Sequence, residues 1–484
     1  MSTLLETLPM LDPALEPIRE KVLAGQRLSR EDGRALFASR DIFTIGQMAN
    51  LVRERMHGRR TYFNINRHIN YSNYCVLRCK FCSFYRAYPS GKGDSATERM
   101  SDEGQIRSAG STATLQIVGG SLPLLSKEAL ASGTGSSGTN SHAPGGWAGA
   151  AYELSIEQIV ETCENAVREG ATEVHIVGGL HPKLPFSFYT DMCRAIKAAC
   201  PKLCIKAFTA IEIVHFTRIS KPRLSIEEVL IALREAGLDT LPGGGAEIFD
   251  DRVHDEAYKN KVGEKHWFDV HDTAHRLGIP TNATMLYGHI EGADERIEHL
   301  IKLRDQQDKS KARMQISKMQ NEECRMQNAG AGANGARSLG GAAGSEGPSA
   351  SGNPRSASPS AFTSPAAFQC LIPLSFIPDG SELGHLPGPT GLDDLKTLAI
   401  SRLMLDNFDH IKAFWIMQSP KLSQVALNWG VDDFDGTVVW YDITKREGRG
   451  TNHQELSVDQ IRRLIREAGC EPVERDSFYR VVGR

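Results

Sequence analysis

Short apolar runs alternate with longer amphipathic segments along most of this chain. The short runs are rich in β-branched and aromatic residues and predict eight strands, at residues 62–69, 173–177, 204–209, 239–241, 281–287, 370–376, 410–416 and 437–440. Helical periodicity predicts helices at residues 155–170, 185–199, 225–237, 264–278, 294–304, 393–406 and 457–469. Repeated alternation of strand and helix indicates an α/β fold with a parallel sheet, and eight repeats favour a closed (β/α)8 barrel of the TIM type.

Two of the predicted helices carry clear start signals. Ser155 is followed three residues later by Gln158, and Ser225 is followed by Glu228. In each pair the serine side chain can cap the helix while the later side chain binds the serine backbone N–H. Both helical patterns end at a glycine, the usual residue just past a helix C-terminus.

Composition divides the rest of the chain. Residues 1–60 predict a helical N-terminal cap, residues 61–456 the barrel, and residues 457–484 a C-terminal helix and tail that pack on it. Two stretches, at about 88–150 and 306–367, are rich in Gly, Ser and Ala and lack apolar periodicity. Such stretches cannot bury enough apolar surface to offset the entropy of ordering, so we expect two disordered insertions.

The charge balance limits the possible partners. Lys and Arg number 56 against 59 Asp and Glu, which gives a formal net charge of -3. No bulk positive field favours nucleic acid or an anionic membrane, so we expect neither as a partner. No segment approaches the roughly 18 apolar residues of a spanning helix, and the start of the chain lacks a signal-peptide pattern, so we expect a soluble cytoplasmic protein.

Three cysteines follow the first predicted strand in one short segment, Cys75, Cys79 and Cys82. Three thiolates at this spacing can bind three irons of a 4Fe–4S cluster and leave the fourth iron open to a ligand. The alternatives are buried cysteines or a zinc site. Structural zinc usually takes four protein ligands, and no fourth Cys or His stands at a suitable spacing, so the cluster is favoured.

Glycine-bearing segments follow three other predicted strands. They are Gly178-Gly179, then Gly243-Gly244-Gly245 with Glu247, and Thr284-x-Leu286-x-Gly288-x-x-Glu291. Each alone could be an ordinary tight turn, or a strand followed by an acidic helix start. Because the carboxyl ends of barrel strands meet at one rim, the three together predict a ligand site there.

The combined motifs carry a resemblance to a known family. Cys75-x-x-x-Cys79-x-x-Cys82 with these strand ends resembles the radical S-adenosylmethionine (SAM) superfamily over nearly all of the chain outside the insertions. The wider segments NRHINYSNYCVLRCKFCSFYR, HIVGGLHPKLP, PGGGAEIFDDRV and PTNATMLYGHIE resemble the aminodeoxyfutalosine synthase family of the futalosine route to menaquinone. Both insertions depart from the family pattern, but they fall between motifs.

The resemblance implies two cofactors and a set of residues that hold them. Cys75, Cys79 and Cys82 would hold a 4Fe–4S cluster, and SAM would chelate the open iron through its amino and carboxylate groups. SAM would also be consumed as a substrate. The residues expected to bind the cofactor are Gly178 and Gly179 at the SAM amino group, Glu212 at the ribose, Gly243, Gly244, Gly245 and Glu247 after the fourth strand, and Thr284, Leu286, Gly288 and Glu291 at the adenine.

The family's reaction adds the 5′-deoxyadenosyl group of SAM to 3-[(1-carboxyvinyl)oxy]benzoate, an aryl enol ether, with loss of CO2 to give 6-amino-6-deoxyfutalosine. An electron donor such as flavodoxin or ferredoxin would be its partner. A substrate with two carboxylates needs cations or hydrogen-bond donors near the rim. The candidates are Arg67, His68, His181, Lys206 and His289, although each could instead have a structural role.

Other functions remain open at this stage. The sister radical SAM enzymes, cyclic dehypoxanthinylfutalosine synthase and the deazaflavin-forming synthases, share the cysteine motif, but GGLHP together with GGGAEI favours the aminodeoxyfutalosine synthase family. A non-enzymatic iron–sulfur electron carrier would be expected to use four protein ligands, which the motif lacks. An inactive scaffold derived from an enzyme is a further alternative, because a large insertion lies next to the cysteine loop.

Overall fold

A computed structural model describes residues 10–89, 151–245, 247–259, 261–334, 364–438 and 455–483, without the side chains of residues 323–334. The chain divides into two compact units, residues 1–87 with 151–484, and residues 88–150. The second unit corresponds to the first predicted insertion. It lies outside the described residues except for positions 88 and 89, and so does the expectation that it is disordered.

The N-terminal region is helical. A 3-10 turn at Pro13–Leu15 is followed by α1 (Glu16–Leu23), α2 (Arg30–Ala38) and α3 (Ile42–His57). Ser29 and Asp32 form a capping box at the start of α2. Helix α3 packs against α11 (Gly391–Met404) and buries Ile45, Met48 and Leu51.

In the part of the chain that the structure describes, nine strands pair in parallel. They are β1 (Arg60–Asn64), β2 (Asn66–Ile69), β3 (Glu173–Ile176), β4 (Cys204–Ala207), β5 (Thr281–Tyr287), β6 (Phe368–Ser375), β7 (His410–Ile411), β8 (Asp433–Gly436) and β9 (Glu471–Glu474). They form three sheets, with the orders β8-β1-β9, β2-β3-β4 and β5-β6-β7. Single bridges join neighbouring sheets, namely Lys206 to Thr240, Leu241 to Thr281, and Lys412 to Asp433. From β2 to β8 the pairing follows the order of the chain, as it does in TIM-type folds, whereas β1 lies between β8 and β9.

The remaining helices connect or follow these strands. They are α4 (Ile156–Arg168), α5 (Phe186–Ala199), α6 (Ala210–Ile219), α7 (Ile226–Glu235), α8 (Asp251–Ala257), α9 (Glu264–Arg276), α10 (Ala293–Asn334), α12 (Trp415–Gln418), α13 (Pro420–Ala426) and α14 (Val458–Glu467). The capping boxes predicted at Ser155 and Ser225 are both formed. Within the described ranges, no helix is both long enough and apolar enough to cross a bilayer.

Three of the predicted strands differ from the structure. The first, at residues 62–69, is divided into β1 and β2, which belong to different sheets. The seventh strand ends at Ile411, and the later part of its predicted range begins a short helix at Trp415. The eighth strand is β8, which ends at Gly436 instead of beginning at Thr437. Its sequence, DFDG, has no apolar run. Both aspartates can be buried because each pairs with a cation, so hydropathy does not reveal this strand.

The C-terminal tail contributes a strand that the sequence analysis missed. Strand β9 pairs with β1, and the Arg475 N–H donates to the Phe63 carbonyl oxygen at 2.9 Å. The short EPVE segment has little β propensity of its own. Its strand conformation therefore depends on the hydrogen bonds that β1 offers.

The start of the second predicted insertion is corrected as well. Helix α10 continues to Asn334, so residues 306–334 are helical. Gln307 exchanges two hydrogen bonds with the backbone of Phe368, both at 2.9 Å, and the Ser310 hydroxyl bonds His275 Nδ1 at 2.9 Å. This part of the helix is anchored by polar contacts, which an apolar periodicity cannot show. Residues 335–363 lie outside the described residues.

Candidate active site

A cavity of about 280 Å³ opens at the carboxyl ends of the parallel strands. Its lining comes from β2, β3 and β4 and the segments that follow them, from residues 242–245 and 247, and from β5 to β8 with the segments just after them. Loops at this end of a parallel α/β fold can converge on one ligand because each follows a different strand. This cavity therefore brings together residues that are far apart in sequence.

The three cysteines lie in one loop on the wall of this cavity. Cys75, Cys79 and Cys82 are free thiols, and all three line it. Backbone hydrogen bonds fix the loop against the end of β3, because the Val76 N–H donates to the Leu180 carbonyl oxygen at 3.0 Å. In return, the Leu180 N–H donates to Cys75 Sγ at 3.3 Å.

These residues fit an iron–sulfur cluster. Burial raises the pKa of Cys79 to about 12, so the thiol is protonated in the chain alone and iron must displace that proton. Three soft sulfur donors with N–H donors to one sulfur form the environment that Fe–S clusters use. Phe81 and Phe84 line the same cavity and exclude water from the loop.

A different group of residues in the described ranges has the compactness of a single-ion site. One ligand atom each of His57, His410 and Asp432 lie within 4.8 Å of one another. Asp432 already binds the buried guanidinium of Arg402, and His410 Nδ1 donates to it at 2.5 Å. The Arg402 guanidinium next to this carboxylate supplies the positive charge that a metal ion would supply, so the group has a structural role.

The glycines predicted at the rim are required for close packing of the protein with itself. A Cβ on Gly178 would lie 2.6 Å from the Tyr71 ring, and one on Gly243 would lie 2.5 Å from the Ala283 carbonyl carbon. A Cβ on Gly244 would lie 2.8 Å from the Thr209 methyl group. Gly179 and Gly245 line the cavity with them. These glycines therefore lie on the cavity wall, and at Gly178, Gly243 and Gly244 the space left by the missing side chain is filled by neighbouring protein atoms.

Glu212 lines the cavity, yet its carboxylate is occupied by the protein. One oxygen accepts hydrogen bonds from the Thr209 N–H and hydroxyl, both at 2.7 Å, in a capping box at the start of α6. The other oxygen accepts from the Tyr71 hydroxyl at 2.8 Å and from the Gly178 N–H at 3.2 Å. Burial raises the pKa of Glu212 to about 7, while these four donors favour its ionised form.

Glu247, Thr284 and Leu286 also lie on the cavity wall. Thr284 Oγ1 donates to the Gly243 carbonyl oxygen at 2.8 Å, which ties the end of β5 to the glycine triplet. Glu247 forms an ion pair with Lys261, whose ammonium lies 4.9 Å from the Phe81 ring centroid. Burial opposes the charge on Lys261, but the Glu247 carboxylate outweighs it and raises the pKa of Lys261.

Gly288, His289 and Glu291 are not among the residues that line the cavity. Glu291 accepts hydrogen bonds from the Gly288 and His289 N–H groups, at 2.5 and 2.9 Å, and pairs with Arg296. His289 Nε2 hydrogen bonds the Leu286 carbonyl oxygen at 3.1 Å. This segment forms a self-contained turn, and the structure does not bring these three residues to the ligand space.

Arg67 and His181 also point elsewhere. Arg67 forms an ion pair with Glu169, because side chains alternate along β2 and its neighbour His68 faces the cavity. His181 Nε2 lies 2.7 Å from a Glu153 carboxylate oxygen, and its Nδ1 accepts from the Lys183 and Leu184 N–H groups. Neither side chain lines the cavity, so both candidate substrate roles lose their geometric basis.

The two remaining candidates, His68 and Lys206, belong to a larger polar group that lies mainly on the strands. The members of this group all line the cavity, and we call them the polar floor: His68, Glu173, His175, Lys206, Lys412 and Asp435. Lys206 pairs with Glu173 at 2.6 Å, and Lys412 pairs with Asp435 at 2.7 Å. The sequence analysis missed four of the six. Alternation along β3 could have indicated Glu173 and His175, whereas Lys412 and Asp435 lie on the two strands that were placed wrongly.

Comparisons with known proteins agree with this geometry. Residues 69–303 match the radical SAM superfamily, and residues 366–483 match the CofH/MqnC C-terminal region. The chain is 38% identical to an aminodeoxyfutalosine synthase from Thermus thermophilus, over 97% of this chain and 96% of that protein. It is 32% identical to an aminodeoxyfutalosine synthase from Streptomyces coelicolor, over 96% and 93%.

The fold is shared with a solved structure. The crystal structure of methylornithine synthase matches with a TM-score of 0.57 at 15% identity, over 94% of this chain and 97% of that one. Radical SAM enzymes use a 4Fe–4S cluster and SAM, and the three free thiols of the cysteine loop fit such a cluster. The two curated relatives align with nearly the full length of this chain at 38% and 32% identity. Together with the family match, this shows that the chain belongs to the aminodeoxyfutalosine synthase family of radical SAM enzymes.

Proposed function

We propose that this enzyme joins the 5′-deoxyadenosyl group of SAM to 3-[(1-carboxyvinyl)oxy]benzoate, with loss of CO2 and release of methionine, to give 6-amino-6-deoxyfutalosine. The observation that carries the proposal is one cavity with a three-thiol loop on its wall and the polar floor on its strands. Such a cavity can hold SAM beside a cluster and a polar small molecule below it.

The chain's own residues position the two reactants. Gly178, Gly179 and the glycine triplet would form the SAM side of the cavity together with Thr284 and Leu286, which also line it. Glu212 would act as a positioning residue, because its carboxylate holds the Gly178 N–H and the start of α6 in place. When bound, the reduced cluster and SAM supply a 5′-deoxyadenosyl radical.

Apolar side chains would hold the aryl ring and exclude water. Leu374, Phe376, Phe414 and Met417 line the cavity on the side of the later strands. A reactive carbon species must be kept from water and from stray hydrogen donors, and a dry apolar wall does this. It also holds the alkene within a near-attack distance, on the order of 3 to 3.5 Å, of the adenosyl C5′.

The proposal extends to the architecture and the surroundings of the enzyme. The three parallel sheets and the bridges between them support a closed (β/α)8 barrel in which residues 240–241 form the fourth strand. A flavodoxin or ferredoxin would supply the electron, and the reaction would take place in the cytoplasm.

Product analysis tests the reaction directly. The anaerobically reconstituted enzyme is reduced in the presence of SAM and 3-[(1-carboxyvinyl)oxy]benzoate, and the products are identified by mass spectrometry. We expect the adenosyl group to appear covalently in 6-amino-6-deoxyfutalosine. Formation of free 5′-deoxyadenosine alone, by an enzyme with an intact cluster, would instead support the activity of a hydrogen-abstracting sister enzyme.

A further inference from the structure

Three neighbouring strands place polar side chains side by side in the cavity. His68 on β2 is the register partner of His175 on β3, and His175 is the register partner of Lys206 on β4. The rings of His68 and His175 have centroids 4.4 Å apart. Side chains on register partners point to the same face of a parallel sheet, so these three form one continuous layer.

Two carboxylates hold the ammonium groups of the polar floor in place. Glu173, two residues before His175, binds Lys206 Nζ and also accepts a hydrogen bond from the Ser477 hydroxyl at 2.5 Å. Asp435 binds Lys412 Nζ from the end of β8. Asp435 has a positive φ of 67°, a strained conformation for a residue with a side chain. Such strain is retained where the surrounding structure or a ligand requires it.

The lysines, and not the histidines, carry the positive charge of the floor. Burial lowers the pKa of His68 to about 4, so this imidazole is neutral near pH 7. Burial also opposes the charge on Lys412, but Asp435 and Asp433 outweigh it and raise its pKa. A ligand anion at this layer would therefore meet two ammonium groups and neutral imidazole donors.

Both ammonium groups have more N–H donors than carboxylate partners among the described residues. An ammonium carries three N–H donors. Within the described residues, Lys206 and Lys412 each have one carboxylate partner, and one oxygen of Asp435 has no hydrogen-bond partner. Because the protein carboxylates already fix the ammonium positions, a ligand carboxylate could bind without the cost of ordering two long side chains.

The proposed reaction decides which end of the substrate lies here. The alkene must reach C5′ of SAM, which lies beside the loop of Cys75, Cys79 and Cys82. That loop lies beyond the end of β2, whereas His68, His175 and Lys206 lie on the strands themselves. The ring carboxylate is the polar group farthest from the reacting alkene, so it would point down to the floor.

We propose that Lys206 and Lys412 form a subsite in the polar floor that binds the aryl carboxylate of the substrate, with His68 and His175 as neutral donors beside it. This inference rests on the proposed function for the identity of the substrate. The subsite selects for a carboxylate on the ring and sets the depth of the substrate. With the ring carboxylate bound in this subsite, the enolpyruvyl end of the substrate would point toward SAM.

Binding without turnover tests the subsite. Isothermal titration calorimetry on the reconstituted, unreduced enzyme with SAM measures Kd for 3-[(1-carboxyvinyl)oxy]benzoate and for 2-phenoxyacrylate, which lacks the ring carboxylate. We expect the wild type to bind the diacid at least about tenfold more tightly. The double variant Lys412→Met with Asp435→Asn removes the ion pair without leaving a buried charge alone, and should abolish this preference.

A matched control uses an ion pair outside the cavity. Lys197 pairs with Asp239 at 2.7 Å and does not line the cavity, so Lys197→Met with Asp239→Asn should keep the preference for the diacid. Equal weakening of both ligands in the Lys412 variant, or no weakening, would overturn the subsite. A wild type that prefers the diacid but forms no adenosyl adduct would contradict the proposed reaction and leave the subsite standing.

Discussion

The Cα atom of Gly179 lies directly against the backbone carbonyl group of Tyr74. A Cβ at this glycine would lie 2.8 Å from the Tyr74 carbonyl carbon and closer still to its oxygen. The Gly179 N–H also donates to the Ser72 carbonyl oxygen at 2.8 Å. The end of β3 therefore fixes the start of the cysteine loop, and a side chain at this position must displace that loop.

The first prediction follows from this contact. Gly179→Ala should displace the loop of Cys75 and lower the iron content after reconstitution. It should also lower the affinity for SAM by about tenfold or more. Iron analysis and calorimetry with SAM measure the two effects. Gly263→Ala is the control, because a Cβ at Gly263 meets nothing within 4 Å. Normal iron content in Gly179→Ala would show that the cysteine loop accommodates a Cβ at this position, and would contradict the prediction.

The second prediction concerns the cluster ligands. Changing Cys75, Cys79 or Cys82 to Ala should abolish SAM cleavage, because two thiolates cannot hold the cluster with one open iron. The buried Cys193 does not line the cavity, so Cys193→Ala should cost some stability and keep cleavage. The readouts are visible absorbance of the cluster and methionine release. Full cleavage by Cys79→Ala would refute the assignment.

The third prediction separates the ordered part of α10 from the low-complexity stretch behind it. Replacing residues 335–363 by a short Gly/Ser linker should leave the melting temperature unchanged, because the sequence there predicts no packed element. Replacing residues 310–364 should lower it, because the buried Ser310 hydroxyl and its bond to His275 are lost. The loss of this partner leaves His275 Nδ1 unsatisfied, which lowers the free energy of unfolding by about 1 to 3 kcal/mol. Equal melting temperatures for the two deletions would contradict this boundary.

The fourth prediction concerns acid stability. His299 accepts a hydrogen bond at Nδ1 from the Phe249 N–H and bonds the Thr284 carbonyl oxygen through Nε2, an arrangement that requires the neutral ring. Burial lowers its pKa to about 3, against about 6.5 when unfolded. Between these values only the unfolded state binds the proton. The free energy of unfolding should therefore decrease as the pH is lowered below about 6.5, by up to about 1.4 kcal/mol per pH unit for this residue.

Denaturant unfolding at a series of pH values measures this effect. His299→Gln removes the titrating group and should flatten the pH dependence by about one proton, even though the variant is less stable at neutral pH. His266→Gln, which changes an exposed histidine, is the control variant. An unchanged slope in His299→Gln would mean that this residue does not contribute to acid lability.

The sequence by itself determined the features that depend on short stretches of chain. The cysteine spacing, the capping boxes at Ser155 and Ser225, and the alternation of strand and helix all arise within a few residues. Local hydrogen bonds and periodicity encode them directly. The family and its cofactors followed from the resemblance of the motifs to a known family. The glycine segments were located for the same reason, although their tight contacts with Tyr71 and Tyr74 could not be read from the chain.

Only the tertiary structure decided which polar side chains face the cavity. Arg67 and His68 are neighbours in sequence, yet the register of β2 sends one outward to Glu169 and the other inward. Lys412 and Asp435 meet in the polar floor although neither strand was correctly placed from hydropathy, because their burial depends on each other's charge. Strand β9 likewise forms only against β1. These features depend on partners far away in the chain, and a local pattern of residues carries no information about such partners.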